Sequence, residues 1–169
     1  DFLASKLKSK INIYEDKPLS FFDSKDSLDL PINSIAVFDF EVYKESSYPS
    51  WSTIGEYFTQ NRNFEEEFLF KIQKILDEYD FAMIYKCKKL SDQRSRVKRK
   101  NLLAKLAKCK NVIMVNPDIS AERITSKCKA TISLPFTSTA HYAYNYKKKS
   151  VYFDPSGWIN KEDKAAYGI

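Results

Sequence analysis

The chain has 169 residues and 43% hydrophobic content, enough for one domain with a sizeable core, and its apolar runs fall far short of a membrane span. Three glycines exclude a glycine-rich nucleotide loop, and one histidine with three widely spaced cysteines (Cys87, Cys109, Cys128) argues against a zinc site and for reduced thiols acting as small core residues. The net charge of +6 is uneven: residues 86–110 hold eleven basic side chains against one acid, Asp92, a local +10 that leaves the remainder at −4.

Residues 1–32 are polar and irregular, with acids, serines and prolines alternating, and read as a linker or N-terminal arm. The N-terminal DFLASKLKSK lacks the apolar region of a signal peptide, and the missing initial Met suggests a fragment of a longer protein. Residues 34–43 (SIAVFDFEVY) are rich in Val, Ile and Phe and predict a strand partly buried on both faces. A loop with SSYPSWS follows. Asn63 then opens a helix, with Glu66 placed as a capping-box partner. Phe64, Phe68, Ile72, Ile75, Leu76 and Tyr79 form its apolar stripe.

Residues 81–87 predict the next strand, and residues 91–108 a basic helix whose apolar positions come late, at Leu102, Leu103, Leu106 and Ala107. The reading continues with a strand over 112–115, a helix over 119–128 starting near Ser120, a strand over 131–134, a helix over 137–146, a strand over 150–153 and a last helix from about 159 to 168. Strand and helix alternate about five times. Such alternation predicts an α/β Rossmann-like parallel sheet of five to six strands, joined by right-handed crossovers, with helices on both faces, over residues 33–169.

Ligands of such sheets sit beyond the carboxyl ends of the strands. Three loops end there: the one with Lys86 and Lys88, the one with Asn116 and Pro117, and the turn from Pro135 to Thr139. Thr137, Ser138 and Thr139 at a helix start offer three hydroxyls and the partnerless N–H groups of a first turn, a fit for phosphate; plain N-capping would use one of the three. Strand alternation puts Lys86 and Lys88 on one side, facing a phosphate or fraying into solvent. His141 lies four residues after Thr137, as a candidate acid or base or as a half-buried ring. The turn with Asp154 and Ser156 after the last strand suits a sugar or ribose.

Asp39 and Glu41 invite comparison with a haloacid-dehalogenase-type phosphatase. The Phe40-Glu41-Val42-Tyr43 continuation breaks that pattern, and no later Gly-Asp cluster follows. The basic segment 86–110 suggests an acidic partner, a nucleic acid or an anionic membrane face. It lacks the aromatic interleaving that base stacking needs, apart from the neighbouring Tyr85.

The stretch ATISLPFTSTAHYAYNYKKKSVYFDPSG, residues 130–157, resembles the signature of the bacterial polysaccharide-biosynthesis PFTS-motif proteins, with Pro135-Phe136-Thr137-Ser138 as the naming tetrapeptide. More broadly it is similar to the C-terminal donor-binding half of GT-B glycosyltransferases, where a strand, a Ser/Thr pair, a helix and a lysine turn precede a further strand. Sialyltransferase-like members of that group also carry a His-Pro pair after an earlier strand; the matching loop here reads Lys86-Cys87-Lys88-Lys89. The resemblance implies a nucleotide-sugar donor as substrate and no cofactor or metal. Together with the reading of the loops above, it points to phosphate binding by Phe136, Thr137, Ser138, Thr139, Lys86 and Lys88, with nucleotide or sugar contacts from Asn116, Pro117, Pro135, His141, Asp154 and Ser156. It further implies a glycan or glycolipid acceptor held by a domain before residue 1, no nucleic-acid partner, and a cytoplasmic setting that leaves open peripheral contact with the inner membrane.

Overall fold

A computed structural model gives the structure of the chain and describes residues 28–38, 64–87, 96–135, 137–154 and Glu162. The capping residue Asn63, the acids Asp39 and Glu41, the site candidates Lys88, Phe136 and Ser156, and the last expected helix lie outside the described residues.

Among the described residues, five strands alternate with four helices: β1 (Ser34–Phe38), α1 (Phe64–Glu78), β2 (Ala82–Lys86), α2 (Arg96–Leu106), β3 (Val112–Val115), α3 (Ala121–Lys127), β4 (Ala130–Ser133), α4 (Thr139–Asn145) and β5 (Lys149–Tyr152). The strands form one sheet in the order β3-β2-β1-β4-β5, every pair parallel. This is the Rossmann-like α/β arrangement that the alternation predicts. Parallel sheets of this kind bury both faces, and the central strand shows it: all five residues of β1 are buried.

Side chains of β1 divide between two cores. Ile35 and Val37 join Met83 and Tyr85 of β2 under α1 and α2, which contribute Phe68, Leu69, Ile72, Leu76, Leu102 and Leu106. Ala36 and Phe38 join Ile84 and the α3 residue Ile124 on the other face, where Leu28 and Leu30 also pack. Alpha-4 lies on this second face against α3, β4 and β5, and it buries only Ala140 and Ala143. Small residues there let the helix approach a strand that carries hydroxyls.

The apolar stripe of α1 differs from the expected one. Ile75 and Tyr79 are 49% and 71% exposed, while Leu69 is fully buried. Leu69 follows Phe68 on the inward side, so the stripe bends toward positions i and i+1. Tyr79 has already left the helix. Alpha-1 starts with Glu65, Glu66 and Glu67, which favour the positive end of the helix dipole. It ends in a Schellman motif: Asp80 has φ 54°, its N–H reaches Asp77 O at 3.2 Å, and Phe81 N–H reaches Leu76 O at 2.8 Å. Alpha-4 ends the same way at Lys147 (φ 53°), with Lys147 N–H on Tyr144 O at 3.0 Å and Lys148 N–H on Ala143 O at 2.9 Å. Glycine is the usual residue at both places; this glycine-poor chain uses Asp and Lys.

Among the described residues the outer strands, β3 and β5, are edges. In β3, Ile113 and Met114 are each 36% exposed, and in β5 Val151 is half exposed. Asn111 fixes the start of β3 from its side chain: Nδ2 donates to Gln73 O (3.2 Å) and Phe81 O (3.4 Å), and Oδ1 accepts from Gln73 Nε2 (2.8 Å). Cys87 and Cys128 are buried, as expected of core thiols, whereas Cys109 is only partly buried. Among the described residues no helix is long and apolar enough to cross a membrane.

Candidate functional site

Strand order reverses between β1 and β4: the chain builds β1, β2 and β3 outward on one side, then returns to add β4 and β5 on the other. That reversal opens a crevice beyond the carboxyl ends of β1 and β4, the place where open α/β sheets hold ligands. The turn after β4 is the hydroxyl-bearing one.

The last in-register row across the sheet reads Val115, Lys86, Phe38, Ser133, Tyr152. In-register residues of parallel strands point the same way, and Phe38 and Val115 belong to the α3 face. Lys86 and Ser133 therefore flank Phe38 on one face, with backbones about 10 Å apart by the spacing of two strands.

On the β4 side the hydroxyls form a chain. Ser133 Oγ and Thr139 Oγ1 are 3.0 Å apart, Thr139 Oγ1 and Thr137 Oγ1 3.2 Å, and Thr137 Oγ1 donates to Leu134 O at 2.8 Å. Each hydroxyl has one proton. With the Thr137 proton on Leu134 O, one assignment gives every contact a proton: Ser133 donates to Thr139, and Thr139 donates to Thr137. The turn through Pro135 is thereby closed, and two of the three expected phosphate hydroxyls serve the turn itself. Ser138 stands apart. It is the N-cap of α4, with φ −62° and ψ −20°, yet its side chain makes no cap hydrogen bond, and it is exposed. An N-cap normally sits in the extended region to reach back to the helix. The αR backbone of Ser138 turns its hydroxyl away from that task. Alpha-4 also starts two residues later than expected and runs for only seven residues.

On the β2 side, Lys86 Nζ donates to Pro117 O at 2.9 Å. The loop that accepts it is an Asx turn: Asn116 Oδ1 accepts from Asp118 N at 2.9 Å, and Asn116 O accepts from Ile119 N at 3.0 Å. Ser120 then caps α3 by accepting from Arg123 N at 3.2 Å. The structure thus brings Lys86, Asn116 and Pro117 together, and separately Ser133, Pro135, Thr137, Ser138 and Thr139. Both groups share one edge and one face. His141 is exposed on the first turn of α4, and Asp154 follows β5 at the same edge.

Two residues escaped the sequence reading. Ser133 completes the hydroxyl chain; its alternation with Thr131 in the run Ala-Thr-Ile-Ser was the available signal, and Thr131 Oγ1 likewise donates to Ser150 Oγ at 2.9 Å. Arg99 lies within the basic segment, but it is only 4% exposed. Its Nη1 pairs with Glu65 Oε1 at 2.9 Å, and Nη2 lies 3.5 Å from Tyr85 Oη and 3.4 Å from Cys87 Sγ. No local pattern announces that burial.

The sheet order and the polar turn at its reversal define a Rossmann-like α/β domain with a candidate anion site at its carboxyl edge. The chain belongs to the polysaccharide biosynthesis PFTS motif protein family, whose family model matches residues 1–169. Among solved structures, UDP-GlcNAc 2-epimerase from Methanocaldococcus jannaschii is similar in fold, with a TM-score of 0.50 and 15% identity. The match covers 72% of this chain and 30% of the epimerase chain, so this chain spans about a third of that protein. No curated protein matches the sequence at a significant level.

Proposed function

We propose that this domain binds the phosphate of a nucleotide-sugar donor at the crevice between β1 and β4, as the donor half of a GT-B-type glycosyltransferase in bacterial surface polysaccharide biosynthesis. The observation that carries the reading is Ser138: an exposed hydroxyl, not used for capping, at the point where strand order reverses. Membership in a polysaccharide-biosynthesis family supports a sugar substrate. The fold likeness to an epimerase named for UDP-GlcNAc agrees with a sugar nucleotide.

In this reading Ser138 Oγ and the adjacent backbone N–H groups donate to phosphate oxygens. Thr137, Thr139 and Ser133 hold the turn in shape. Lys86 supplies charge from the far side of Phe38, and Asn116, Pro117, Pro135, His141 and Asp154 line the edge for the nucleoside or sugar. Preorganised donors of this kind stabilise the leaving phosphate as the glycosidic bond to it breaks. The acceptor, a glycan or glycolipid, is held by another part of the protein. Tyr85, the one aromatic bordering the basic segment, is fully buried, which weighs against base stacking there.

A thermal-shift panel of UDP, GDP, CMP and their sugars tests the reading. At least one should raise the melting temperature, and Thr137→Ala combined with Ser138→Ala should abolish the rise. A panel with no shift on the wild-type chain would overturn the assignment.

A further inference from the structure

Arg99, Glu65, Tyr85 and Cys87 form a buried polar cluster beneath the carboxyl edge, on the face opposite Lys86. Two other ion pairs, Lys71 with Glu67 and Lys105 with Glu66, lie at the surface. A buried ion pair adds little stability compared with apolar side chains of the same volume, because desolvation offsets the attraction. Stability alone is a weak reason for this one to exist.

Its geometry supplies a better one. Glu65 is in the first turn of α1, Arg99 in the first turn of α2, Tyr85 near the end of β2 and Cys87 just after it, so the ends of three elements meet at one guanidinium. Tyr85 and Cys87 are the two neighbours of Lys86. Strand alternation sends them to one face and Lys86 to the other. The planar guanidinium contacts both neighbours with the same nitrogen while its other arm is held by Glu65. Fixing both flanks of Lys86 fixes the direction in which Lys86 leaves the sheet, toward Pro117 O and the phosphate edge.

We infer that Arg99 is a positioning residue for Lys86, and that the Arg99–Glu65 pair sets the cationic half of the donor site without touching the donor. The inference rests on the donor-binding reading above. Arg99→Lys is the sharp variant: it keeps the charge against Glu65 and loses the fork whose second nitrogen reaches Tyr85 and Cys87. Arg99→Met with Glu65→Leu removes the pair while keeping an apolar filling.

The test is a double-mutant cycle on the affinity of the nucleotide selected by the thermal-shift panel. A hydrogen bond from a charged donor to phosphate is among the stronger kinds, so Lys86→Ala should weaken binding by about tenfold or more. Arg99→Lys should weaken it comparably, and the two together should cost little more than either alone, since one acts through the other. A second readout is the reaction of Cys87 with a thiol reagent, followed by mass spectrometry. It should quicken in both Arg99 variants, while the apolar double variant keeps a wild-type melting temperature.

Losses that multiply, a Lys86→Ala variant that binds as well as wild type, or Arg99 variants with wild-type affinity and Cys87 protection would each overturn the inference and leave the donor site standing. Wild-type protein that binds no nucleotide or sugar nucleotide removes the donor site and this inference together.

Discussion

At the hydroxyl chain of Ser133, Thr139 and Thr137, three protons are spent in sequence to close one turn. Ser133 is fully buried, so its proton has no water to fall back on. Thr139→Val removes the acceptor at nearly constant volume and should cost about 1–3 kcal/mol, the range for a buried polar group left unmatched. Thr139→Ser keeps the oxygen and should cost much less. Denaturant midpoints of the two variants check this, and equal midpoints would mean that the chain does not hold the turn. The sequence showed three adjacent hydroxyls but not their division of labour. Which of them faces a ligand depends on the αR backbone at Ser138 and on Ser133, a strand residue whose polarity is explained only when α4 closes over it.

Among the elements, α3 depends on its last turn. Cys128, its C-cap, is buried against β1, and its N–H reaches Ile124 O and Thr125 O. Burial pushes the Cys128 thiol above its ordinary 9.0, while the Ser34 hydroxyl and the Lys148 ammonium pull more weakly the other way. The native state thus favours the neutral thiol. Its contribution is fully present below pH 9 and is lost as pH rises from there through the folded-state value. The wild-type melting temperature should fall over that interval, and Cys128→Val should fall less; parallel curves would remove the thiol from the account. The extent of α3 was legible to within two residues: expected over 119–128, it spans Ala121–Lys127. The basic helix was legible only in outline. A run of lysines and arginines reads as a solvated face, and Arg99 turns inward because Glu65, on another helix, awaits it.

For the whole molecule, strand and helix alternation sufficed to predict a parallel α/β sheet, and the five strands fall within a residue or two of their expected places wherever they are described. Order across the sheet was not legible. The run Val-Ile-Met-Val of β3 is as apolar as β1, yet it forms an edge, and only pairing partners distinguish the two. Pairing also sets a gradient of local stability. Beta-1 is bonded on both sides and wholly buried; among the described residues β3 and β5 each have one neighbour. Hydrogen exchange should be slowest in β1 and faster by at least tenfold in the two edge strands, a gap of roughly 1.4 kcal/mol or more in opening free energy. Uniform protection across the five strands would contradict the ladder.

The central place of β1 has a consequence for how the chain acquires its structure. Beta-1 comes first among the five described strands as the chain is made, and its β2 partner follows α1, but its other flank stays open until β4 arrives; the side-chain bond from Lys129 to Asn33 spans 96 positions. Long closures of this kind slow the search for the native state, because chain entropy is lost before contacts reward it. During synthesis, then, the half built from β1, β2 and β3 presents an apolar strand edge to its surroundings, and β4, the strand that leads into the Pro-Phe-Thr-Ser turn, is the piece that covers it.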